Sequence, residues 1–244
     1  MPRILPAQPG MVLAEVDTPS LILDLDAFER NLRRLQESLT GRQIMLRPHA
    51  KSHKCPQIAL RQIALGAVGV CCQKVSEAEA MVEGGVPDVL IANEVVGMAK
   101  VRRLAALARQ AKITVCADDA GNVAQLDAAA REFGVTLDVL VEVNVGANRC
   151  GVEPGEPALK IAQAIAACKN LRYAGLQAYQ GGAQHLRRVE ERRAAIDAAV
   201  AAVERTLALI KKAGLPRGKV TGAGTGTYLF EATSKVYDEL QVGS

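Results

Sequence analysis

The stretch "ITVCADDAGNVAQLDAAAREFGVTLDVLVEVN" (113–144) decides the fold class. It opens with the apolar run "ITVCA" (113–117), continues with an alanine-rich segment of helical spacing (119–133) and closes with "LDVLVEVN" (137–144). Both short runs are largely apolar at consecutive positions, which is typical of parallel strands covered by helices. The stretch therefore predicts a strand–helix–strand unit.

The same alternation runs along the whole chain. Short apolar runs predict strands over 20–25, 43–47, 67–72, 88–93, 113–117, 137–144, 171–179 and 219–223. The segments between them predict helices over 26–39, 56–65, 76–84, 97–110, 119–133, 156–168 and 189–213. A chain of 244 residues lies within the range of a single α/β barrel. We predict a (β/α)8 TIM barrel, with a doubly wound sheet as the alternative that the strand count leaves open.

Composition limits the functions open to the chain. Hydrophobic residues make up 49% of it and aromatic residues 3%, as in helix-covered parallel sheets. The net charge of +4 is small and the basic residues are scattered, so we expect no nucleic-acid partner. No segment approaches the roughly 20 apolar residues of a membrane span, and residues 1–19 show no continuous apolar core followed by a cleavage site. We expect a cytoplasmic protein without a membrane partner, whose six cysteines form no C-x-x-C pair and are reduced.

The barrel prediction also locates the chemistry. In such a barrel the carboxyl ends of the strands and the loops that follow them form the active face. That rule selects "PHAKSHK" (48–54), "QKVSEAE" (73–79), "NEVVG" (93–97), "NVGANRCG" (144–151), "YQGGAQH" (179–185) and "GAGTGT" (222–227).

The first of these loops carries two histidines. His49 and His53 have the i, i+4 spacing of two metal ligands on one helix face. Pro48 and the strand before it argue against a helix at this point, and a third ligand would have to come from elsewhere. The pair alone is a weak metal motif.

Lys51 in the same loop suggests covalent chemistry instead. A lysine at the mouth of a pocket can attack a carbonyl when its amine is neutral, and nearby cations favour the neutral form. The alternative is a solvated basic loop. The neighbours expected to supply the cationic surroundings are Arg47, His49, His53 and Lys54.

The stretch "TGAGTGT" (221–227) provides the second half of a site. It is not a dinucleotide fingerprint, because position 227 is Thr and the stretch follows the last predicted strand. A glycine-rich turn there is a frequent phosphate site in barrels, with Gly224 and Gly226 exposing N–H groups and Thr225 and Thr227 offering hydroxyls. A tight structural turn is the alternative. A reactive lysine and a phosphate turn together indicate a site for pyridoxal 5′-phosphate.

Other residues on the predicted active face are candidates for the same site. Arg149 could bind a carboxylate or the cofactor's phenolic oxygen, or lie on the surface. Tyr179 could stack on a ring or merely pack, and Gln73 is a neutral polar group after an apolar strand. His185 is a candidate general base near neutral pH, although lone histidines are often structural.

Several motifs together resemble one family. They are "DTPSLILDLDAFERNL" (17–32), "RPHAKSHKCPQIALRQIALGAVGVCCQKVSEAEAMV" (47–82), "ANEVVG" (92–97), "NRCGV" (148–152), "LQAYQG" (176–181), and "TGAGTGT" followed by "VYDELQVGS". These resemble the D-threonine aldolase and 3-hydroxy-D-aspartate aldolase group, which belongs with the D-serine dehydratases among the alanine-racemase-like pyridoxal-phosphate enzymes. The resemblance extends from about residue 10 to the end of the chain.

The resemblance implies a role for each matching residue. Lys51 would bind the cofactor covalently, and Gln73, Arg149 and Tyr179 would line its ring. His185 matches a histidine that approaches the substrate β-hydroxyl. The phosphate would be held by Gly224, Thr225 and Gly226, with Tyr237 nearby. Ala223 departs from the family, in which that position is glycine.

The resemblance also implies a reaction. A D-β-hydroxy-α-amino acid, D-threonine or 3-hydroxy-D-aspartate, would be cleaved to glycine and an aldehyde. Alternatives are dehydration of D-serine or a D-hydroxyaspartate, a non-catalytic pyridoxal-phosphate barrel, or a barrel with an empty pocket.

Relatives in this family continue into a C-terminal β domain. That domain holds a divalent metal (Mn, Mg or Co) and completes a homodimer. We expect residues 1–244 to be the barrel domain without the C-terminal β domain and its metal ligands. Turnover by this chain is expected to be weak or absent.

Overall fold

This computed structural model describes residues 5–243, which divide between residues 38 and 39 into two compact units. In the first unit the described residues form a short 3₁₀ helix, Leu13–Glu15, and helix α1, Leu25–Ser38. The second unit contains all eight strands assigned in the described part of the chain.

The second unit alternates strands and helices. The strands are β1 (Met45–Leu46), β2 (Val70–Cys72), β3 (Asp88–Glu94), β4 (Lys112–Ala117), β5 (Leu137–Glu142), β6 (Leu171–Ala178), β7 (Lys219–Gly222) and β8 (Glu239–Leu240). The helices are α2 (Pro56–Ala64), α3 (Val75–Glu83), α4 (Met98–Leu107), α5 (Ala120–Phe133), α6 (Glu156–Ala167), α7 (Val189–Lys212) and α8 (Tyr228–Thr233), with a 3₁₀ helix at Gly181–His185.

The strands form a closed parallel barrel. They are ordered β1-β8-β7-β6-β5-β4-β3-β2, and all the neighbouring pairs are parallel. Just beyond β1, the His49–Cys71 bridge joins the two ends of this order, and the Cys71 N–H donates to the Pro48 carbonyl at 2.8 Å. The barrel prediction is therefore confirmed, and the doubly wound alternative is wrong.

The unit around α5 shows why these segments fold as they do. Asp119 caps the helix, because its Oδ1 accepts the Asn122 N–H at 2.8 Å. Gly134 ends the helix in the left-handed conformation, with φ at +64°. The flanking strands β4 and β5 then pair in parallel register, with Thr114 opposite Asp138. The segment of helical spacing and the two apolar runs are confirmed as α5, β4 and β5.

The first predicted strand is wrong. Residues 20–24 form no strand, and Leu25 already begins α1. The side chains of Leu21, Ile22 and Leu23 are exposed, and no strand of the described residues pairs with this segment. Apolar composition therefore does not by itself make a strand, since a strand also needs a hydrogen-bonding neighbour.

The barrel's first strand lies instead within the predicted 43–47, and its eighth, Glu239–Leu240, was not predicted. As a consequence, the glycine turn at 222–227 follows β7 and not the last strand.

The barrel interior contains a buried ion network. Arg47 is 1% exposed, and its Nε lies 2.9 Å from Oε1 of Glu239, which is fully buried. Arg47 Nη1 lies 2.7 Å from Asp88 Oδ1, and Lys219 Nζ lies 3.2 Å from Glu239 Oε2. Arg47 is thus paired inside the barrel, so the expectation that it supplies a free cation beside Lys51 is wrong.

Two expectations from the composition concerned the state of the cysteines and membrane-spanning helices. All six cysteines are free thiols, three of them buried and three half-buried. Among residues 5–243, no helix combines the length and the apolar character needed to cross a membrane.

Candidate active site

A pocket opens at the carboxyl ends of the strands. Its wall combines one lysine, one arginine, one histidine, one tyrosine and three glutamines with small residues. The lining residues are His49, Lys51, Gln73, Ala92, Arg149, Gln177, Tyr179, Ala223, Gly224, Thr225, Gln241 and Gly243. Gln177 and Tyr179, for example, are two positions apart, the spacing that places side chains on the same face of a strand. The pocket therefore lies where the barrel prediction put the active face.

Six of the predicted site residues meet in this pocket. They come from five loops and strand ends that are distant in sequence, so only closure of the barrel brings them together. The six are Lys51, Gln73, Arg149, Tyr179, Gly224 and Thr225.

His49 supports Lys51. The imidazole is 7% exposed, and its Nδ1 accepts the Lys51 backbone N–H at 3.4 Å. Burial, and next the charge of Lys51, lower the pKa of His49 to about 4, while burial also lowers the pKa of His53. Both histidines are consequently neutral at pH 7, and the expectation that they surround Lys51 with positive charge is wrong. Neither belongs to a three-ligand metal cluster within the described residues.

Arg149 brings the guanidinium cation to the pocket. Its guanidinium carbon lies 5.8 Å from the centroid of the Tyr179 ring, which is within the range of a cation–π contact. Asn144 shapes the loop before it, because its Oδ1 accepts the N–H groups of Gly146 at 3.2 Å and Asn148 at 3.0 Å. Arg149 therefore presents positive charge beside an aromatic ring, an arrangement that suits an anionic aromatic ligand.

The polar floor of the pocket was not predicted. Gln177 and Gln241 exchange side-chain hydrogen bonds of 3.1 and 2.6 Å, and Gln241 Nε2 also donates to Thr221 Oγ1 at 2.8 Å. All three side chains are buried. Gln177 could have been identified from the sequence, because it is a glutamine near the end of an otherwise apolar predicted strand. Such a side chain either points into the barrel with a hydrogen-bonding partner or is exposed.

The glycine turn is held from one side by Gln184. Its Oε1 accepts the Gly226 N–H at 2.8 Å, and its Nε2 donates to Thr227 Oγ1 at 3.0 Å. A Cβ added to Gly224 would lie 2.5 Å from Gln184 Cδ, so the position has no room for a side chain. Ala223 adopts φ of +73°, the region that favours glycine. The Gly226 N–H is thus bonded within the protein.

Three predicted site residues, Tyr237, His185 and Gly226, do not line the pocket. Tyr237 is buried, and its hydroxyl donates to the Ala178 carbonyl at 2.9 Å. His185 is the exposed last residue of the 3₁₀ helix that follows β6. Gly226 and Thr227 belong to the turn but likewise do not line the pocket. The roles assigned to Tyr237, His185 and Gly226 stay predictions.

Glu231, in α8 directly after the turn, should make stability depend on pH. Burial raises the pKa of its carboxyl from 4.5 to about 7, although a hydrogen bond from Thr227 opposes the shift. Between these values the folded protein keeps a proton that the unfolded chain has lost, so the free energy of unfolding falls as the pH rises from 4.5 to 7. We expect Glu231→Gln to remove this loss, and to be more stable than the unaltered chain at pH 8 by up to about 3 kcal/mol.

Urea unfolding at pH 4 and pH 8 measures this effect. The matched control is Glu190→Gln on the exposed part of α7, which should leave the pH dependence unchanged. If Glu231→Gln and the unaltered chain lose the same stability between the two pH values, Glu231 is not the group responsible.

Comparison with known proteins agrees with this geometry. Residues 23–244 match the family model described as alanine racemase, N-terminal domain. The chain is 51% identical to a D-threonine aldolase from Arthrobacter sp. and 48% identical to a 3-hydroxy-D-aspartate aldolase from Paracoccus denitrificans, in each case over 98% of its own length. It spans 63% and 62% of the lengths of these two relatives.

A solved structure shows the same similarity in three dimensions. The crystal structure of D-threonine aldolase from Filomicrobium marinum is 53% identical in sequence and superimposes with a TM-score of 0.95. The match covers 99% of this chain and 66% of that one.

Proposed function

Because the chain belongs to the alanine racemase N-terminal domain family, we propose that its pocket binds pyridoxal 5′-phosphate and serves a lyase acting on D-β-hydroxy-α-amino acids. The observation that supports this most directly is the meeting of Lys51, Arg149, Tyr179 and Gly224 in one pocket at the active face of the barrel. These residues supply the groups that an aromatic aldehyde with a phosphate requires.

The pocket residues fit that cofactor by their chemistry. Lys51 offers a primary amine to the aldehyde carbon, and Arg149 offers a guanidinium to the phenolic oxygen. Gly224 and Thr225 would hold the phosphate, because both line the pocket. When bound, the cofactor supplies an electron-accepting ring that stabilises the carbanion left by cleavage of a bond to Cα.

The proposed reaction is a retro-aldol cleavage. The β-hydroxyl loses its proton, the Cα–Cβ bond breaks, the β-carbon becomes an aldehyde, and Cα takes up a proton to give glycine. D-Threonine would give acetaldehyde, and 3-hydroxy-D-aspartate would give glyoxylate. The support for this substrate class is the 51% and 48% identity to aldolases of these two names.

Several parts of this proposal concern groups beyond the pocket lining. We propose His185, on the loop that follows β6, as the acceptor of the β-hydroxyl proton. We also propose that 1–244 is the cofactor-binding domain of a homodimeric enzyme. A divalent cation (Mn, Mg or Co) held by a C-terminal β domain would then assist at the β-hydroxyl. The support for the additional domain is the greater length of the relatives.

Product analysis tests the reaction. The full-length protein, including the proposed C-terminal domain, is incubated with pyridoxal phosphate, Mn²⁺ and D-threonine, and with L-threonine as the control for stereochemistry. We expect glycine and acetaldehyde in equal amounts from the D-isomer alone. Ammonia and 2-oxobutanoate would instead assign dehydration. Cofactor binding without either pair of products would contradict the proposed cleavage and favour a non-catalytic cofactor-binding barrel.

A further inference from the structure

A second group of polar side chains lies inside the barrel mouth. Glu94 ends β3, Glu142 ends β5, and Cys150 lies in the loop after β5. One carboxylate oxygen of each glutamate and the Cys150 sulfur all lie within 4.8 Å of one another. None of the three lines the pocket that contains Lys51.

The cluster contains buried oxygens without partners. Glu142 is 3% exposed, and its Oε2 is buried and accepts no hydrogen bond. Glu94 Oε1 is likewise buried and accepts no hydrogen bond. The thiol contacts of the Glu142 carboxylate are weak: the Cys150 thiol donates to its Oε1 across 4.0 Å, and the buried Cys116 thiol is a second hydrogen-bonding neighbour. Burying carboxylate oxygens in this way is costly unless a proton or a cation compensates them.

Neighbouring charges do not remove this cost. Arg149 is the one cation acting on both glutamates, and its charge is outweighed by burial and by the carboxylates of Glu94, Glu142 and Asp118. The result is that burial raises the pKa of Glu142 to about 8 and raises the pKa of Glu94 as well. A proton or a cation therefore compensates these buried carboxylates, and the two compete for the site.

We propose that Glu94, Glu142 and Cys150 bind a divalent cation of the Zn²⁺ class. Two carboxylates and one thiolate form a mixed oxygen and sulfur set, which zinc accepts and which magnesium and calcium do not favour. The ligand atoms of a closed tetrahedral zinc site lie about 3.5 Å apart. From separations of up to 4.8 Å, the ligands must therefore approach one another when the ion binds. Cys150 is half-buried on a loop, which allows this movement.

Binding would displace protons and satisfy the unpartnered oxygens. The Cys150 thiol must lose its proton to become a ligand, and any proton held by the two glutamates is released at the same time. Affinity is accordingly expected to rise with pH. This cation site is separate from the divalent metal of the proposed cleavage reaction, because all three ligands lie within the present chain.

Cadmium is the probe, since a cadmium–thiolate bond absorbs in the near ultraviolet. The chelator-treated chain, without cofactor or substrate, is titrated with Cd²⁺. We expect a charge-transfer band that saturates at one ion per chain, and that is lost in Cys150→Ser. Cys168→Ser is the matched control, because Cys168 is also a half-buried free thiol but lies at the end of α6 outside the cluster.

A second variant keeps the test decisive if Cys150→Ser folds poorly. Glu142→Gln keeps the shape and the thiol, and should raise the Kd for Cd²⁺ at least about tenfold. Loss of the band in Cys168→Ser with retention in Cys150→Ser, or an unchanged Kd in Glu142→Gln, would overturn the proposal. Because no cofactor is added, failure here leaves the proposed function of the Lys51 pocket untouched.

Discussion

Replacing Lys51 with alanine is expected to abolish covalent binding of pyridoxal phosphate completely. Among the lysines of the described residues, only Lys51 lines the pocket, and its amine is the nucleophile that the cofactor aldehyde requires. Alanine removes the amine but leaves His49 and the strand before it in place. No other pocket residue can replace that bond, because arginine, glutamine and neutral histidine do not form a stable one with an aldehyde.

Two measurements check the loss. The first is the visible absorption band of lysine-bound cofactor after pyridoxal phosphate is added to the purified chain. The second is reduction with borohydride followed by mass analysis of the peptide that contains residue 51. Both signals should be present in the unaltered chain and missing in Lys51→Ala.

Lys54→Ala is the matched control for this experiment. Lys54 lies on the same loop, is exposed, and does not line the pocket. It should keep the band and the label. A band of full intensity in Lys51→Ala, or a label on another lysine, would show that the cofactor is bound elsewhere.

The barrel could be predicted from sequence because its signals are local. Strands buried on both faces give continuous apolar runs, and seven of the eight predicted runs contain an observed strand, from β1 at Met45–Leu46 to β7 at Lys219–Gly222. The run at 20–25 has the same composition but no pairing partner among the described residues. Strand β8, Glu239–Leu240, has only two residues, too few for any periodic pattern.

The candidate site, like the barrel, could be predicted only in part from the sequence. Lys51, Gln73, Arg149 and Tyr179 follow predicted strands, so the rule for barrels was enough to place them on one face. The paired amides of Gln177 and Gln241 depend on which residues of β6 and of the segment after β8 lie opposite each other. Those residues are 64 positions apart in sequence. No local pattern contains that information.

Charge was the property that sequence predicted least well. Arg47 and His49 are two residues apart on a strand, and both therefore point into the barrel. Proximity in sequence suggested one cationic cluster around Lys51. The structure instead pairs Arg47 with Glu239 and leaves His49 buried and neutral at pH 7. Ionisation depends on burial and on partners from other strands, which the sequence alone does not specify.

Arg47 leads to the second large prediction, because its pairing holds the barrel interior together. Burial opposes its charge, yet the carboxylates of Glu239 and Asp88 raise the pKa of Arg47 overall. Arg47→Met would leave the fully buried Glu239 with Lys219 and Thr221 as its remaining partners. We expect the free energy of unfolding to fall by about 3–5 kcal/mol, the cost of removing one member of a buried ion pair.

Urea unfolding of four variants, Arg47→Met, Glu239→Leu, their combination and Arg102→Met, identifies the cause of that loss. Arg102→Met is the control for an exposed ion pair, because Arg102 and Glu132 are both half-exposed, and it should cost less than about 1 kcal/mol. The double variant Arg47→Met with Glu239→Leu removes both buried charges. It should recover most of the loss, since the main penalty is a buried carboxylate that has lost one of its two cations, and Lys219 can reach solvent. If the double variant is as unstable as the sum of its two single changes, lost packing and not the weakened charge pairing determines the stability of this interior.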